Sequence, residues 1–212
     1  ASKLRIRYVP RVGDAPVEPE ILRSVERAAE AFRELGHDVT EGAAPFDGDR
    51  ISECFSILSG VGLRRVVEGH PGWEGEIDPA LLPTIEAAGR IPAAEYARAL
   101  DYLNALRAEF VDAMSDVDVL LTPTSAAMPW PAEQRFPQAI AGQDAGPRAA
   151  GIYVTFVNAV GHPAISLPAE PSPSGLPIGL QLVGRFGADE LLLRLAREYE
   201  RARPWHERWP PT

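Results

Sequence analysis

Residues 153–187 read YVTFVNAVGHPAISLPAEPSPSGLPIGLQLVGRFG, and this stretch decides the fold. Pro163 and Pro168 bracket the run Ala164-Ile165-Ser166-Leu167. A proline has no amide to give a sheet ladder, so the two prolines set the ends of one short strand. His162, between Gly161 and Pro163, reads as a turn residue. Ile178 to Val183 form a second strand. In it Gly179 leaves room for another backbone or a substrate, and Gln181 offers an amide that both donates and accepts. Upstream, Thr155 and Asn158 supply polar groups in an otherwise apolar segment. Downstream, Leu191, Leu192, Leu195 and Tyr199 mark the inward face of an amphipathic helix from Ala188 to Arg201.

The other end of the chain supplies a β-α-β unit. Leu4-Arg5-Ile6-Arg7-Tyr8 alternates as a half-buried strand does. Pro19 suits the first turn of a helix, where its missing amide costs nothing. Ile21, Val25, Ala28, Phe32 and Leu35 then form one apolar stripe, and Gly36 stops it. His37 to Glu41 reads as a second strand, parallel to the first through a right-handed crossover. The middle is helical: Asp49 to about Glu68, a break at His70-Pro71-Gly72, a short segment near Leu81 and Ile85, and a long helix from Pro92 to about Ser115. That last helix carries Tyr96, Leu100, Leu103, Leu106, Phe110 and Met114 along one face. Val117 to Leu121 is a strand ended by Pro123. From about 122 to 150 no period survives among seven Pro and Gly residues, and a loop of that length calls for a function. Its apolar residues Met128, Trp130, Phe136 and Ile140 favour a substrate wall or lid over a linker. The alternation of strands and helices predicts a single α/β domain over residues 1–212, a mixed β-sheet covered by helices. The helices from Pro92 and Ala188 are expected on one side of the sheet, with an apolar face left bare on the other.

Composition narrows the function. With 45% hydrophobic and 24% charged residues among 212, the chain can bury a sizeable core. A net charge of −9 argues against a nucleic-acid partner, because neutralising phosphates needs a basic face. No apolar run approaches a membrane span, and the N-terminus carries no signal-peptide core. Cys54 is the only cysteine, which removes an intramolecular disulfide and a cysteine zinc site, and fits a cytoplasmic location.

The residues offer no catalytic group. Cys54 sits in an apolar helical stripe and reads as a small buried hydrophobe. The four histidines lie apart, without the spacing of a metal site, so no metal and no cofactor are expected. The glycines between Gly175 and Gly184 lack the lysine and hydroxyl residue of a phosphate loop.

The run Thr155-Phe156-Val157-Asn158, Gly161-His162-Pro163-Ala164-Ile165-Ser166-Leu167-Pro168 and Gly175-Leu176-Pro177-Ile178-Gly179-Leu180-Gln181-Leu182-Val183-Gly184 resembles the C-terminal hallmark of the amidase signature family. Three further pieces agree in order: Leu4-Arg5-Ile6 with Pro16-Val17 and Pro19-Glu20, then Leu35-Gly36-His37-Asp38-Val39, then Asp118-Val119-Leu120-Leu121-Thr122-Pro123-Thr124. The resemblance implies hydrolysis of a carboxamide C–N bond to an acid and ammonia or an amine. It also implies a Ser–cis-Ser–Lys triad fed by a Gly-Ser-Ser-Gly loop, and this sequence has neither that loop nor a Ser-Ser pair. Its one lysine, Lys3, precedes the first strand. The triad is therefore expected in an N-terminal catalytic half, with no catalytic residue here, and this chain alone is expected to be inactive. Thr124, Trp130, Thr155, Asn158 and Gln181 are the candidate substrate-binding residues, with Thr122 to Thr124, the loop around Trp130, and Thr155 to Asn158 converging.

In the glutamyl-tRNA amidotransferase branch an Asp sits seven residues before the motif Asn, where Gly151 stands here. That favours a stand-alone amidase acting on a small amide. The alternatives are a subunit of a split amidase or amidotransferase, and a non-catalytic binding module of the same fold. The start at Ala1, directly before a strand, favours a fragment. The expected partners are an amide substrate, the N-terminal catalytic half, and a second copy forming a homodimer over the bare face.

Overall fold

The computed structural model describes residues 3–206. Strand β1 (Arg5–Tyr8) leads into helix α1 (Pro19–Glu34) and strand β2 (Asp38–Glu41), and β1 and β2 pair in parallel with Ile6 opposite Val39. Helices α2 (Gly48–Val67), α3 (Leu82–Ala88) and α4 (Ala93–Ala113) follow, and strand β3 (Val119–Pro123) then pairs in parallel with the other side of β1. A two-stranded hairpin, β4 (Ala139–Ile140) and β5 (Gln143–Asp144), and helix α5 (Ile152–Val160) precede the antiparallel strands β6 (Ala164–Pro168) and β7 (Gly179–Gly184). Helix α6 (Asp189–Ala202) comes last. The main sheet has the order β2-β1-β3-β7-β6, which is the mixed sheet of an α/β fold expected from the sequence.

Strand alternation feeds two cores. Ile6, Tyr8, Val39, Val119, Leu121, Leu180 and Leu182 point to one face, where Val25, Phe32, Leu192 and Tyr199 of α1 and α6 meet them. Phe32 stacks on Tyr199 there, with ring centroids 5.0 Å apart. Leu120 and Val183 point to the other face, against Leu106 and Phe110 of α4 and Phe156 of α5. The expectation that α4 and α6 share a side is thus corrected. The crossover from β1 to β2 runs one way along the sheet, and that from β2 back past β1 to β3 runs the other way. A right-handed connection must then switch faces between the two, which carries α4 opposite α1 and α6. Within α4, Leu100 is 40% exposed, and Ala99, Leu106 and Phe110 form the buried line.

Two elements depart from the sequence-level picture. Helix α5 is buried nearly all round, at Ile152, Tyr153, Thr155, Phe156, Val157, Ala159 and Val160. Such a helix has no polar face and therefore no readable period. Gly161 ends it with φ 74°, a conformation that a side chain would strain. The long loop is not wholly irregular either: Ala141 and Gly142 both take positive φ, as a two-residue hairpin turn requires, and Ile140 is fully buried in the first core. The exposed large apolar side chains (Leu35, Val66, Leu100, Val111, Trp130, Leu176, Phe186 and Leu193) are distributed over several helices and loops. The exposed residues of β6 are the small Ala164, Ser166 and Pro168.

Candidate functional site

The second sheet face changes character along its length. Register places Leu120 opposite Val183 and Val183 opposite Ala164 as one row, and Thr122, Gln181 and Ser166 as the next. Gly179, opposite Pro168, follows, and Thr124 donates its backbone amide to Gly179 at 3.0 Å. The first row is core at Leu120 and Val183, the second is buried polar at Thr122 and Gln181, and the third reaches solvent at the carboxyl end of β3. In open α/β sheets ligands bind beyond the carboxyl ends of strands where the order reverses, and β1 and β3 flank such a reversal here.

Gln181 holds this region together. Its Nε2 donates to the Tyr153 carbonyl of α5 at 2.7 Å and to Thr122 Oγ1 at 3.1 Å. The Thr122 hydroxyl in turn donates to the Pro123 carbonyl at 2.7 Å, so Thr122 can only accept from Gln181. The amide orientation is therefore set, and β3, β7 and α5 are tied by one side chain. Thr124 Oγ1 and Ser166 Oγ lie 2.7 Å apart. They meet across Gly179, where an added Cβ would come within 2.9 Å of Thr124 Oγ1 and 3.2 Å of Ser166 Oγ. Ser166 was not among the residues singled out from the sequence, because only the register reveals that it faces Gln181.

The remaining sequence candidates are placed differently. Thr155 is buried and donates back to the Gly151 carbonyl at 2.9 Å, a bond within its own helix start. Asn158 is the one exposed residue of α5, and its side chain makes no hydrogen bond among the described residues. Trp130 is 38% exposed and donates its indole N–H to the Gln134 carbonyl at 2.9 Å, inside its own loop. The loop joins α5 at its base, where Ala126 donates to the Ala150 carbonyl at 3.0 Å. Thr122, Thr124 and Gln181 thus come together with the start of α5, and no hydrogen bond ties Trp130 to them.

The buried cysteine, histidines and tyrosines are packed within the fold. Cys54 is buried against the Ala99 carbonyl at 3.2 Å, and burial raises its thiol pKa, the opposite of activation. His162 is buried, with Nδ1 2.9 Å from the Gly184 carbonyl and its ring edge-on to Phe110. His37 accepts the Leu4 amide at Nδ1, which leaves the hydrogen on Nε2, 3.3 Å from Glu198. That contact does not form a hydrogen bond, and the buried ring serves as a packing element joining β1 to α6. Burial likewise raises the phenol pKa of Tyr8 and Tyr153. Among the described residues no three His, Cys, Asp or Glu side chains gather as metal ligands, and no helix is long and apolar enough to cross a membrane. Among the described residues no carboxylate, imidazole or amine hydrogen-bonds Thr122, Thr124, Ser166, Thr155 or Gln181. The arrangement can bind and orient; it has no base to activate a nucleophile.

The fold and this polar row define an α/β sheet with hydrogen-bonding groups and no activating base. A family model described as Amidase matches residues 74–193. An acylamidase of Rhodococcus erythropolis is 32% identical over 98% of this chain and 44% of its own length. A 6-aminohexanoate-cyclic-dimer hydrolase of Paenarthrobacter ureafaciens is 29% identical over 94% of this chain and 43% of its own length. Among solved structures, a bacterial aryl acylamidase of the amidase signature family superposes with a TM-score of 0.87 at 23% identity, over 99% of this chain and 46% of that one. The chain belongs to the amidase family, as its motifs indicated, and it spans less than half the length of these relatives.

Proposed function

We propose that this chain is the substrate-orienting portion of an amidase that hydrolyses a carboxamide C–N bond, water adding to the carbonyl and an amine or ammonia leaving. The nucleophile and base come from the catalytic half, outside this chain. The observation that carries the reading is the polar row itself: Gln181, Thr122, Thr124 and Ser166 are organised at the carboxyl end of β3 with no base in reach. In this reading Thr124 and Asn158 contact the substrate, Thr155 and Gln181 hold α5 and β3 in place beneath them, and Trp130 supplies an apolar wall from the loop. A stand-alone amidase is favoured over an amidotransferase because Gly151 offers no carboxylate to a substrate amine.

The test compares two preparations on a panel of small carboxamides, following released ammonia or amine. The purified chain is expected to be inert, and the complete protein, this chain joined to the rest of its amidase, to turn over. Hydrolysis by the chain alone that disappears on mutating one of its own residues would sink the division of labour. A complete protein inert on every carboxamide tried would remove the amidase reading.

A further inference from the structure

We propose that the Thr124–Ser166 hydroxyl pair is a specificity element that recognises primary carboxamides; the proposal rests on the amidase reading above. Each hydroxyl has one hydrogen and two lone pairs. At 2.7 Å one of the two donates to the other, so the pair keeps one outward hydrogen and spare lone pairs side by side. Ser166 is exposed and Thr124 half-buried, so these valences are open to a ligand.

A planar primary carboxamide presents the complementary edge. Its carbonyl oxygen and the N–H on the same side lie next to each other, one accepting and one donating. In a trans secondary amide that N–H position is taken by the carbon substituent, and the remaining N–H points away from the oxygen. A side-by-side donor and acceptor therefore holds a primary amide by two bonds and a trans secondary amide by one.

Three features support a built element over two surface hydroxyls that happen to meet. The pair spans two strands that are not neighbours, β3 and β6, and closes over β7 only because Gly179 has no side chain. Thr124 is fixed at its backbone by Gly179. Behind it both amide hydrogens of Gln181 go to Thr122 and the Tyr153 carbonyl and the Thr122 hydrogen goes to Pro123, so none of these donors competes for the pair.

The probes are benzamide and N-methylbenzamide, with dissociation constants measured on the complete protein and, separately, KM and kcat for benzamide. Thr124→Val and Ser166→Ala are each expected to weaken benzamide binding and raise its KM about tenfold, the size of one or two lost neutral hydrogen bonds. N-methylbenzamide should change by about twofold or less. The double variant should be about as weak as the worse single one, because each hydroxyl is oriented by the other. Thr124→Ser, which keeps the hydroxyl, should restore benzamide binding. Unchanged benzamide affinity in both single variants, or equal losses for the two amides, would overturn the proposal. So would a loss of folding or assembly in place of affinity. A complete protein that binds benzamide through the pair and hydrolyses nothing would overturn the amidase reading alone, and one that binds neither amide would overturn both.

Discussion

Gln181 is the side chain on which the geometry of the polar row depends, and replacing its amide gives a sharp test. It is 4% exposed and donates at 2.7 Å to the Tyr153 carbonyl and at 3.1 Å to Thr122. Gln181→Met keeps the volume and removes both donors, at about 1 kcal/mol each, so the loss is about 2 kcal/mol or about 4–8 °C in Tm. Gln181→Glu keeps the shape but faces an oxygen toward the Tyr153 carbonyl. An ionised carboxylate there is desolvated and has no donor, so the side chain holds its proton and its folded pKa rises above an unfolded value near ~4.3. A raised folded pKa means stability fully present below the unfolded pKa and lost as pH rises through the folded one. A rise of about two units therefore costs roughly 2.7 kcal/mol by pH 8, while the protonated acid can still donate to Tyr153 near pH 4. The assay is urea unfolding of wild type and both variants at pH 4.5 and pH 8, each variant compared with wild type at the same pH. The Glu variant should lose most at pH 8 and the Met variant about equally at both. If the Glu variant matches wild type at pH 8, the Gln181 amide does not hold α5 to β3 as described.

Two further perturbations follow from the same structure. Asp118 accepts from the backbone and guanidinium of Arg5 and lies 3.3 Å from Arg185, and the Arg5 hydrogen bond holds its carboxyl below the usual range. Asp118→Asn should lower Tm by about 2 °C near neutral pH. Because the folded pKa is depressed, that difference should close as pH falls below roughly 4, and a gap that widens in acid would contradict the pairing. Gly151 has φ −93° and ψ 12°, outside the extended backbone from which a side chain caps a helix, and an added Cβ there would meet nothing closer than 3.7 Å. Gly151→Asp should therefore leave stability within about 0.5 kcal/mol, read as a nearly unchanged urea midpoint. In the complete protein it should shift preference toward amides bearing an amino group; a strongly destabilised variant would show that the site has no room for the carboxylate.

Legibility in the sequence follows the physics of each element. β1, α1 and β2 were readable because each buries one side only: Ile6 and Tyr8 alternate, and Val25, Ala28 and Phe32 repeat at helical spacing. Helix α5 was not, because nearly every residue is buried and the period vanishes. The hairpin at Ala139–Asp144 was missed because four paired residues are too few to alternate. The side on which α4 lies follows from strand order and handedness together, and strand order is a long-range fact that local spacing does not carry. At the site, Gln181 stood out as an amide inside an apolar strand and Thr124 by its place just past the end of β3. Ser166 did not, since its importance depends on the register of β6 against β7 and on the missing side chain at Gly179.

That register also explains why polar residues can stand on this face without unfolding it. A buried donor or acceptor left without a partner costs about 1–3 kcal/mol, so a polar patch next to a core must either satisfy itself or reach water. The face does both, in order. Leu120 and Val183 are fully buried and need no partners. One step along, Gln181 and Thr122 are buried and spend their donors on Tyr153 and Pro123. Thr124, a further step along, bonds to Ser166 at the exposed end of the Gln181 row, and both keep their remaining capacity at the surface. Both amide hydrogens of Gln181 are spent on Tyr153 and Thr122, so a ligand can take the outward valences of Thr124 and Ser166 without disturbing those buried bonds. A sheet face graded in this way keeps its fold when the ligand is absent, and its outer hydroxyls keep their geometry for the ligand when it arrives.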